Sequence, residues 1–302
     1  MRASLGDVQT GTYHLVMDVG TGLALLGSAK LAEQVLGPTA EYVGTGIQQW
    51  SEHRVENVRR IFEHAANKLG PEGLERPGAV PPRVLKGILD EGSFIEDELG
   101  AEYLGGVLAS SRSEVSRDDR GASLVALVGR LSTYQLRTHY ICYSQCQRAL
   151  AGMAFPIGQQ SHRRSQAKYF LALNDYANGM DFSGAEIPEI AAIATHAIIG
   201  LVREELIDDD YQLGQHADLR RLNPRYDFPS NGGLTFAPSM LGIELYCAAH
   251  GIKGNYAARF LGSAEGFAFD AVVTAGESSS LVRDLPVYEP PPPPIAVPEP
   301  SP

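Results

Sequence analysis

The fold depends most on the stretch Ser93-Phe-Ile-Glu-Asp-Glu-Leu-Gly-Ala-Glu-Tyr-Leu-Gly-Gly-Val-Leu108. Ser93 and Glu96 have the spacing of a capping box, in which each side chain accepts a hydrogen bond from the other residue's backbone N–H. Apolar residues then recur at helical intervals, at Leu99, Leu104, Val107 and Leu108. The stretch therefore predicts an amphipathic helix that packs against other helices.

Similar signals flank this stretch on both sides. On the N-terminal side, Ser51 is predicted to cap a helix that ends at Gly70-Pro71, and Pro82 is predicted to be the first residue of another helix. On the C-terminal side, apolar periodicity predicts a helix over 124–131 and a further helix after a cap at Ser132. Short helices joined by short loops, without period-two alternation, are typical of a helical bundle.

The second half of the chain predicts a smaller, mixed unit. A helix is expected to start at Pro188, and Gly-Gly-Leu-Thr-Phe-Ala-Pro238 predicts a short strand with turns at its ends. A helix from Met240 to Gly251 then closes a winged-helix-like module. Beyond Leu285 roughly half of the residues are proline, which predicts an extended polyproline tail.

The predicted fold is therefore mainly α, with a helical bundle followed by a small winged-helix-like α+β module and an extended Pro-rich tail. The predicted units are an apolar, Gly-rich N-terminal segment (1–30), a helical domain (31–178), the winged-helix-like module (179–284) and the tail (285–302).

Composition limits the classes of function. The 302 residues carry a formal net charge of −11, which argues against a protein that binds nucleic acid by electrostatics alone. Three cysteines and no recognisable leader peptide favour the cytoplasm. The longest uncharged run near the N-terminus is about 11 residues, too short for a membrane span of about 20. Contact with a membrane surface and homo-oligomerisation stay open.

The charge is distributed unevenly, because no Asp or Glu lies between Asp119 and Asp175. We expect the basic residues in this gap to form a positive surface for an anionic partner, namely an acidic protein, a phosphate-rich ligand or nucleic acid. Tyr134, Tyr140 and Tyr143 are expected to add stacking. The alternative is that acidic residues elsewhere in the fold neutralise these cations by ordinary ion pairs. The predicted site residues are Arg130, Arg137, Arg148, Arg163, Arg164 and Lys168.

Other patterns that carry chemistry favour structural roles. Asp18-Val-Gly-Thr-Gly22 has the look of a phosphate-binding turn but lacks the βαβ context that such a site needs. The acidic runs at 96–98 and 208–210 are expected to be exposed. We predict no catalytic residue, no metal and no cofactor, and interpret the helical His/Cys set as buried core residues: His139, Cys142, Cys146, Cys247 and His250.

Several segments in residues 31–150 follow one another in a characteristic order. They are Gly37-Pro38-Thr-Ala-Glu41-Tyr-Val-Gly44, Val80-Pro81-Pro82 through Leu89, Ser93 through Leu99, Leu108-Ala109-Ser110 and Leu131-Ser132-Thr-Tyr-Gln-Leu136. In this order the chain resembles the Abi-alpha family of abortive-infection proteins, a helical domain of bacterial phage-defence loci, with a winged-helix-like C-terminal part. It departs from the expected pattern at Gly105-Gly106, where larger helix formers are expected.

The resemblance and the charge pattern together predict a non-enzymatic binding protein, related to phage defence, that recognises an anionic partner through a cationic helical surface. The alternative is a DNA-binding transcriptional regulator that uses the winged-helix-like module. Residues 187–261 contain more acidic than basic side chains, which disfavours contact with phosphates. A third hypothesis is an enzyme whose site has no sequence motif.

Overall fold

A computed structural model describes residues 47–115, 117–154, 157, 165–263, 265–267, 269 and 278–289. These residues are mainly helical, with a small antiparallel sheet, which confirms the predicted class at that level. The helices are α1 (Ile47–Glu75), α2 (Pro82–Gly92), α3 (Glu98–Ser111), α4 (Gly121–Arg130), α5 (Thr133–Leu150), α6 (Leu173–Met180), α7 (Ile190–Arg203), α8 (His216–Leu222), α9 (Met240–Ala249) and α10 (Tyr256–Phe260). The predicted N-terminal segment 1–30 and most of the Pro-rich tail lie outside the described residues.

Two helix starts follow the local sequence signals as predicted. Pro82 is the first residue of α2, where its missing N–H costs no hydrogen bond. Ser132 caps α5, since its hydroxyl accepts a hydrogen bond from the Gln135 N–H while the Gln135 side chain accepts one from the Ser132 N–H. This reciprocal capping box fixes the point at which the chain turns from α4 into α5.

Two predicted helix starts are wrong, whereas one predicted helix end is confirmed. Helix α1 begins at Ile47, so Ser51 lies inside it, but the backbone at Gly70 is non-helical (φ 62°, ψ 174°), so its first helical stretch ends at Gly70-Pro71 as predicted. Helix α3 begins at Glu98, because the carboxylate of Asp97 caps it by accepting a hydrogen bond from the Gly100 N–H at 2.9 Å. The hydroxyl of Ser93 instead donates to the Asp90 carbonyl at the end of α2.

The helix start predicted at Pro188 is also wrong. Pro188 lies in a 3-10 turn over Ile187–Glu189, and α7 begins only at Ile190. Helix α9 agrees with its predicted position, and Gly251 (φ 75°) follows it in the left-handed conformation that glycine adopts without strain.

The sheet has four short strands in the order β2-β3-β1-β4 and is antiparallel throughout. The strands are β1 (Tyr169–Ala172), β2 (Gln212–Gly214), β3 (Gly233–Phe236) and β4 (Ser280–Leu281). Strand β3 is the one predicted from sequence, and it pairs with β1 so that Tyr169 lies opposite Phe236. Because β1 precedes residue 178 and β3 follows it, the sheet joins the two predicted units.

The helices of the two predicted units share one hydrophobic core. Helix α9 packs against α3, and α7 packs against α5. This core continues across the predicted boundary between 178 and 179. The physical reason is that the apolar faces of α3 and α5 are covered by helices from the second half of the chain.

Gly105 and Gly106 permit close helix contacts in this core. A β-carbon at Gly106 would lie 1.7 Å from the Ala249 carbonyl oxygen, and one at Gly105 would lie 2.5 Å from the His64 β-carbon. The departure from larger helix formers therefore has a structural cause, since these two glycines let α3 approach α9 on one side and α1 on the other.

We expect Gly106→Ala to lower the free energy of unfolding by about 3 kcal/mol, the upper part of the range for an overpacked core, because the new methyl group meets backbone that has no rotamer to change. Gly184→Ala is the matched control, since nothing lies within 4 Å of a β-carbon there, and it should change stability by less than about 0.5 kcal/mol. Urea unfolding followed by circular dichroism measures both. Equal stabilities of the two variants would contradict the close α3–α9 contact.

Candidate functional site

The predicted cationic site is partly neutralised within the fold. The guanidinium of Arg130 contacts the carboxylate of Glu204 at 3.0 Å, and the ammonium of Lys168 contacts Asp210 at 2.9 Å. The expectation that these two cations are unpaired is therefore wrong, and the alternative of internal ion pairing applies to them. Both pairs span more than forty residues of sequence, which is why helical periodicity did not reveal them.

The remaining predicted cations differ in their surroundings. Arg137 is partly buried, and its Nε donates to the Gly179 carbonyl at 2.8 Å, so it supports the end of α6. Arg148 is exposed on α5. Arg163 and Arg164 lie outside the described residues.

One basic residue outside the acid-free segment, Arg203, adjoins Arg130. The Nε of Arg203 lies 3.2 Å from the same Glu204 carboxylate, so two guanidinium groups flank one acid. The Glu204 side chain is only 15% exposed, whereas those of Arg130 and Arg203 are 59% and 64% exposed. Hydrogen bonding to Arg130, followed by the interaction with Arg203, lowers the pKa of the Glu204 carboxyl below its ordinary value.

The two guanidiniums and the carboxylate carry a net charge of +1 at the surface. We call Arg130, Arg203 and Glu204 the arginine pair site. Arg203 ends α7, and the Arg-Glu-Glu order there gives no signal that a second arginine lies nearby. The site thus depends on the packing of α7 against α5, which only the fold supplies.

The expected tyrosine stacking surface is wrong for two of its three members. Tyr140 and Tyr143 are buried in an aromatic core, where the Tyr143 hydroxyl accepts a hydrogen bond from the Ser239 N–H and donates to the Leu206 carbonyl. Tyr134 is partly buried, and its hydroxyl donates to the Glu186 carboxylate at 2.6 Å. Hydrogen bonds from Ser183 and then Tyr134 lower the pKa of Glu186 to about 2.

Four members of the His/Cys set are buried as predicted, whereas His250 is only partly buried. Cys142, Cys146 and Cys247 are buried free thiols, and desolvation raises their pKa values, that of Cys247 to about 12. In the part of the chain that the structure describes, no three His, Cys, Asp or Glu side chains are placed to hold a metal ion.

His139 and His250 have distinct hydrogen bonds. The Tyr103 hydroxyl lies 2.7 Å from Nδ1 of His139, and Nε2 of the same ring lies 3.2 Å from the Gly242 carbonyl. Because a carbonyl accepts only, Nε2 carries the proton and Nδ1 accepts from the tyrosine. In His250, Nδ1 donates to the Tyr246 carbonyl, and the buried Nε2 has no hydrogen-bond partner among the described residues. Desolvation lowers the pKa of each histidine to about 3.

One hydroxyl–imidazole contact has the residue types of a nucleophile and its base. The Ser132 hydroxyl lies 3.2 Å from Nε2 of His196. The same hydroxyl caps α5, and among the described contacts no carboxylate is bonded to the other nitrogen of His196. Capping therefore accounts for Ser132, since a nucleophile also needs an orienting group behind its base.

The acidic runs have structural contacts. Asp97 caps α3, and Glu98 contacts Arg60 and His64 of α1. In the second run, Asp210 pairs with Lys168. The candidate phosphate-binding turn Asp18 to Gly22 lies outside the described residues.

No protein-family model, no curated protein and no solved structure matches the chain. The resemblance to the Abi-alpha family therefore depends on the sequence segments quoted above. Among the helices that the structure describes, none is both long enough and apolar enough to span a membrane.

We expect stability to fall as the pH decreases from about 6.5 toward 3. Unfolded histidine has a pKa near 6.5, whereas His139 and His250 titrate near 3 in the folded protein, so the unfolded state binds more protons in this window. Their contribution to stability is complete above pH 6.5. Each histidine should cost about 1.4 kcal/mol per pH unit in the middle of the window.

Urea unfolding of the full chain at pH 6 and pH 5 measures this slope, in a range where most unfolded carboxyl groups are already ionised. His250→Gln should reduce the slope by about 1.4 kcal/mol per pH unit. A variant slope equal to that of the unmodified protein would show that His250 is not held neutral by the fold.

Proposed function

We propose that this chain is a non-enzymatic binding protein that recognises an anionic partner, and that it acts in the manner of the bacterial abortive-infection factors it resembles. The single observation that supports this best is the arginine pair site, where two largely exposed guanidinium groups share one carboxylate. Glu204 neutralises only one of the two positive charges, and a carboxylate or phosphate on a partner would neutralise the other.

The chemistry of arginine favours this role. A guanidinium presents several N–H donors in a plane, so Arg130 can hold the Glu204 carboxylate and still donate to a second oxyanion. The exposed ends of both arginines are in water, where an isolated ion pair is worth at most about 1 kcal/mol. Replacing the contacts of these arginines with Glu204 by contacts with a better-placed anion of a partner therefore costs little free energy.

The resemblance to the Abi-alpha family supplies the biological setting of the proposal. A phage-defence factor acts inside the bacterial cell, and we accordingly propose a cytoplasmic location. The three free, buried cysteines support this location, since the reducing cytoplasm keeps thiols unpaired.

The alternative of a DNA-binding regulator has weaker support. The basic residues of α8, which precedes β3, already have intramolecular contacts. The guanidinium of Arg220 lies 3.7 Å from the centre of the Tyr288 ring, and Arg221 lies 4.0 Å from Asp218. We therefore favour the arginine pair site over the winged-helix-like module as the recognition surface.

The proposal is tested by a double substitution, Arg130→Gln with Arg203→Gln, in the full chain expressed in a bacterial host. We expect co-purification of the partner to fall at least about tenfold, equivalent to about 1.4 kcal/mol of binding free energy, and phage plating to return to the level of cells without the protein. Arg83→Gln is the matched control, because Arg83 is an exposed arginine with one carboxylate partner, Asp119.

A third variant tests whether partner binding increases when the site becomes more positive. Glu204→Gln removes the internal carboxylate and leaves both guanidiniums uncompensated, so partner recovery should rise. If the double variant retains partner capture and plaque reduction, or if Glu204→Gln weakens capture as much as the arginine changes do, the proposed surface is wrong. Thermal unfolding of each variant shows whether a loss of capture reflects a loss of folding.

A further inference from the structure

A second surface lies beside the loops that join α2 to α3 and α4 to α5. It is an open groove with a volume of about 580 Å³. Its lining combines apolar, acidic and hydroxyl side chains with two glycines. The lining residues are Glu91, Phe94, Ile95, Glu96, Asp97, Gly100, Val128, Gly129, Leu131, Ser132, Thr133 and Leu136.

The floor of this groove is apolar. Val128 and Leu136 are buried core residues, and Ile95 and Leu131 are partly buried against the same core. At its edge, Phe94 is 63% exposed. Aromatic side chains of this kind provide much of the binding energy where proteins contact one another.

Acidic side chains predominate around the groove. Glu91, Glu96 and Asp97 line it. Arg60 adjoins them, because its guanidinium donates to the Ile95 and Glu96 carbonyls, and it is paired with the Glu98 carboxylate at 3.2 Å. The N-termini of α3 and α5 also face this region, and each contributes a partial positive charge of about half a unit. The full negative charges of Glu91 and Asp97 alone exceed these two partial charges, so the groove attracts cations.

We propose that this groove binds a basic, amphipathic segment of a partner protein, with the apolar side chains of that segment on Ile95 and Leu131 and its Arg or Lys side chains on the acidic rim. This inference goes beyond the proposed function, because it concerns a surface of opposite charge. Charge complementarity identifies the occupant. A nucleic acid would bring phosphates to the carboxylates, and a second copy would bring another net charge of −11.

The acidic rim is tested by Glu91→Gln, Glu96→Gln and Asp97→Asn combined in the full chain. Asn is as good an N-cap as Asp, so α3 keeps its cap while the rim loses its charge. The control combines Glu72→Gln, Glu75→Gln and Glu189→Gln, three exposed acids away from the groove that change the net charge by the same amount.

The probe is a fluorescein-labelled helical peptide with Leu on one face and Arg and Lys on the other, and binding is measured by fluorescence anisotropy. We expect saturable binding to the unmodified chain and to the control, and at least about tenfold weaker binding to the rim variant. Phe94→Ala should also weaken binding several-fold, because simple charge attraction does not require that ring.

Three results would overturn the proposal. They are no saturable binding of the basic peptide, equal affinities of the rim and control variants, and equal binding of a companion peptide in which Glu replaces Arg and Lys. Circular dichroism and thermal unfolding of each variant distinguish lost binding from lost folding. None of these substitutions changes the arginine pair site, so this test and that of the proposed function fail independently.

Discussion

The imidazole of His139 joins three helices through one buried side chain. It belongs to α5, accepts a hydrogen bond from Tyr103 of α3 and donates one to the Gly242 carbonyl of α9. Its ring also stacks on Tyr143 at 4.4 Å between centroids. A buried histidine of this kind must stay neutral, because a protonated ring could no longer accept from the tyrosine. The arrangement of the other helices around α5 depends on this contact.

The hydrogen bonds of His139 help to explain why the two halves of the chain share a core. Residue 106 has no β-carbon, which lets α9 lie directly on α3, and the loop before α9 is held by Tyr143 through the Ser239 N–H. With α9 in place, α7 covers the other side of α5 and brings Arg203 and Glu204 to Arg130. The surfaces that we propose for recognition are thus consequences of how the core is packed, and the loop between α4 and α5 lies next to both.

Sequence patterns predicted the features that depend on neighbouring residues. The starts of α2 and α5 are local, since Pro82 and the Ser132 capping box each act within one helical turn. The start of α3 was predicted at the wrong residue, because two good caps lie four residues apart, and Ser93 bonds to the Asp90 carbonyl at the end of α2 while Asp97 caps α3. Ion pairs such as Lys168–Asp210 join distant segments, so no periodicity in the sequence contains them. The acidic groove was missed for the same reason, since four helices and the two loops between them contribute to its lining.

Helices α3, α5 and α9 should therefore unfold as one cooperative unit built around His139. Native-state hydrogen exchange measured by mass spectrometry is the sharpest test, because each helix gives its own peptides and its own free energy of opening. We expect peptides from α3 and α9 to exchange with the same free energy, equal to that of global unfolding. Exchange of α9 and the sheet at a clearly lower free energy, while α3 and α5 stay protected, would contradict it.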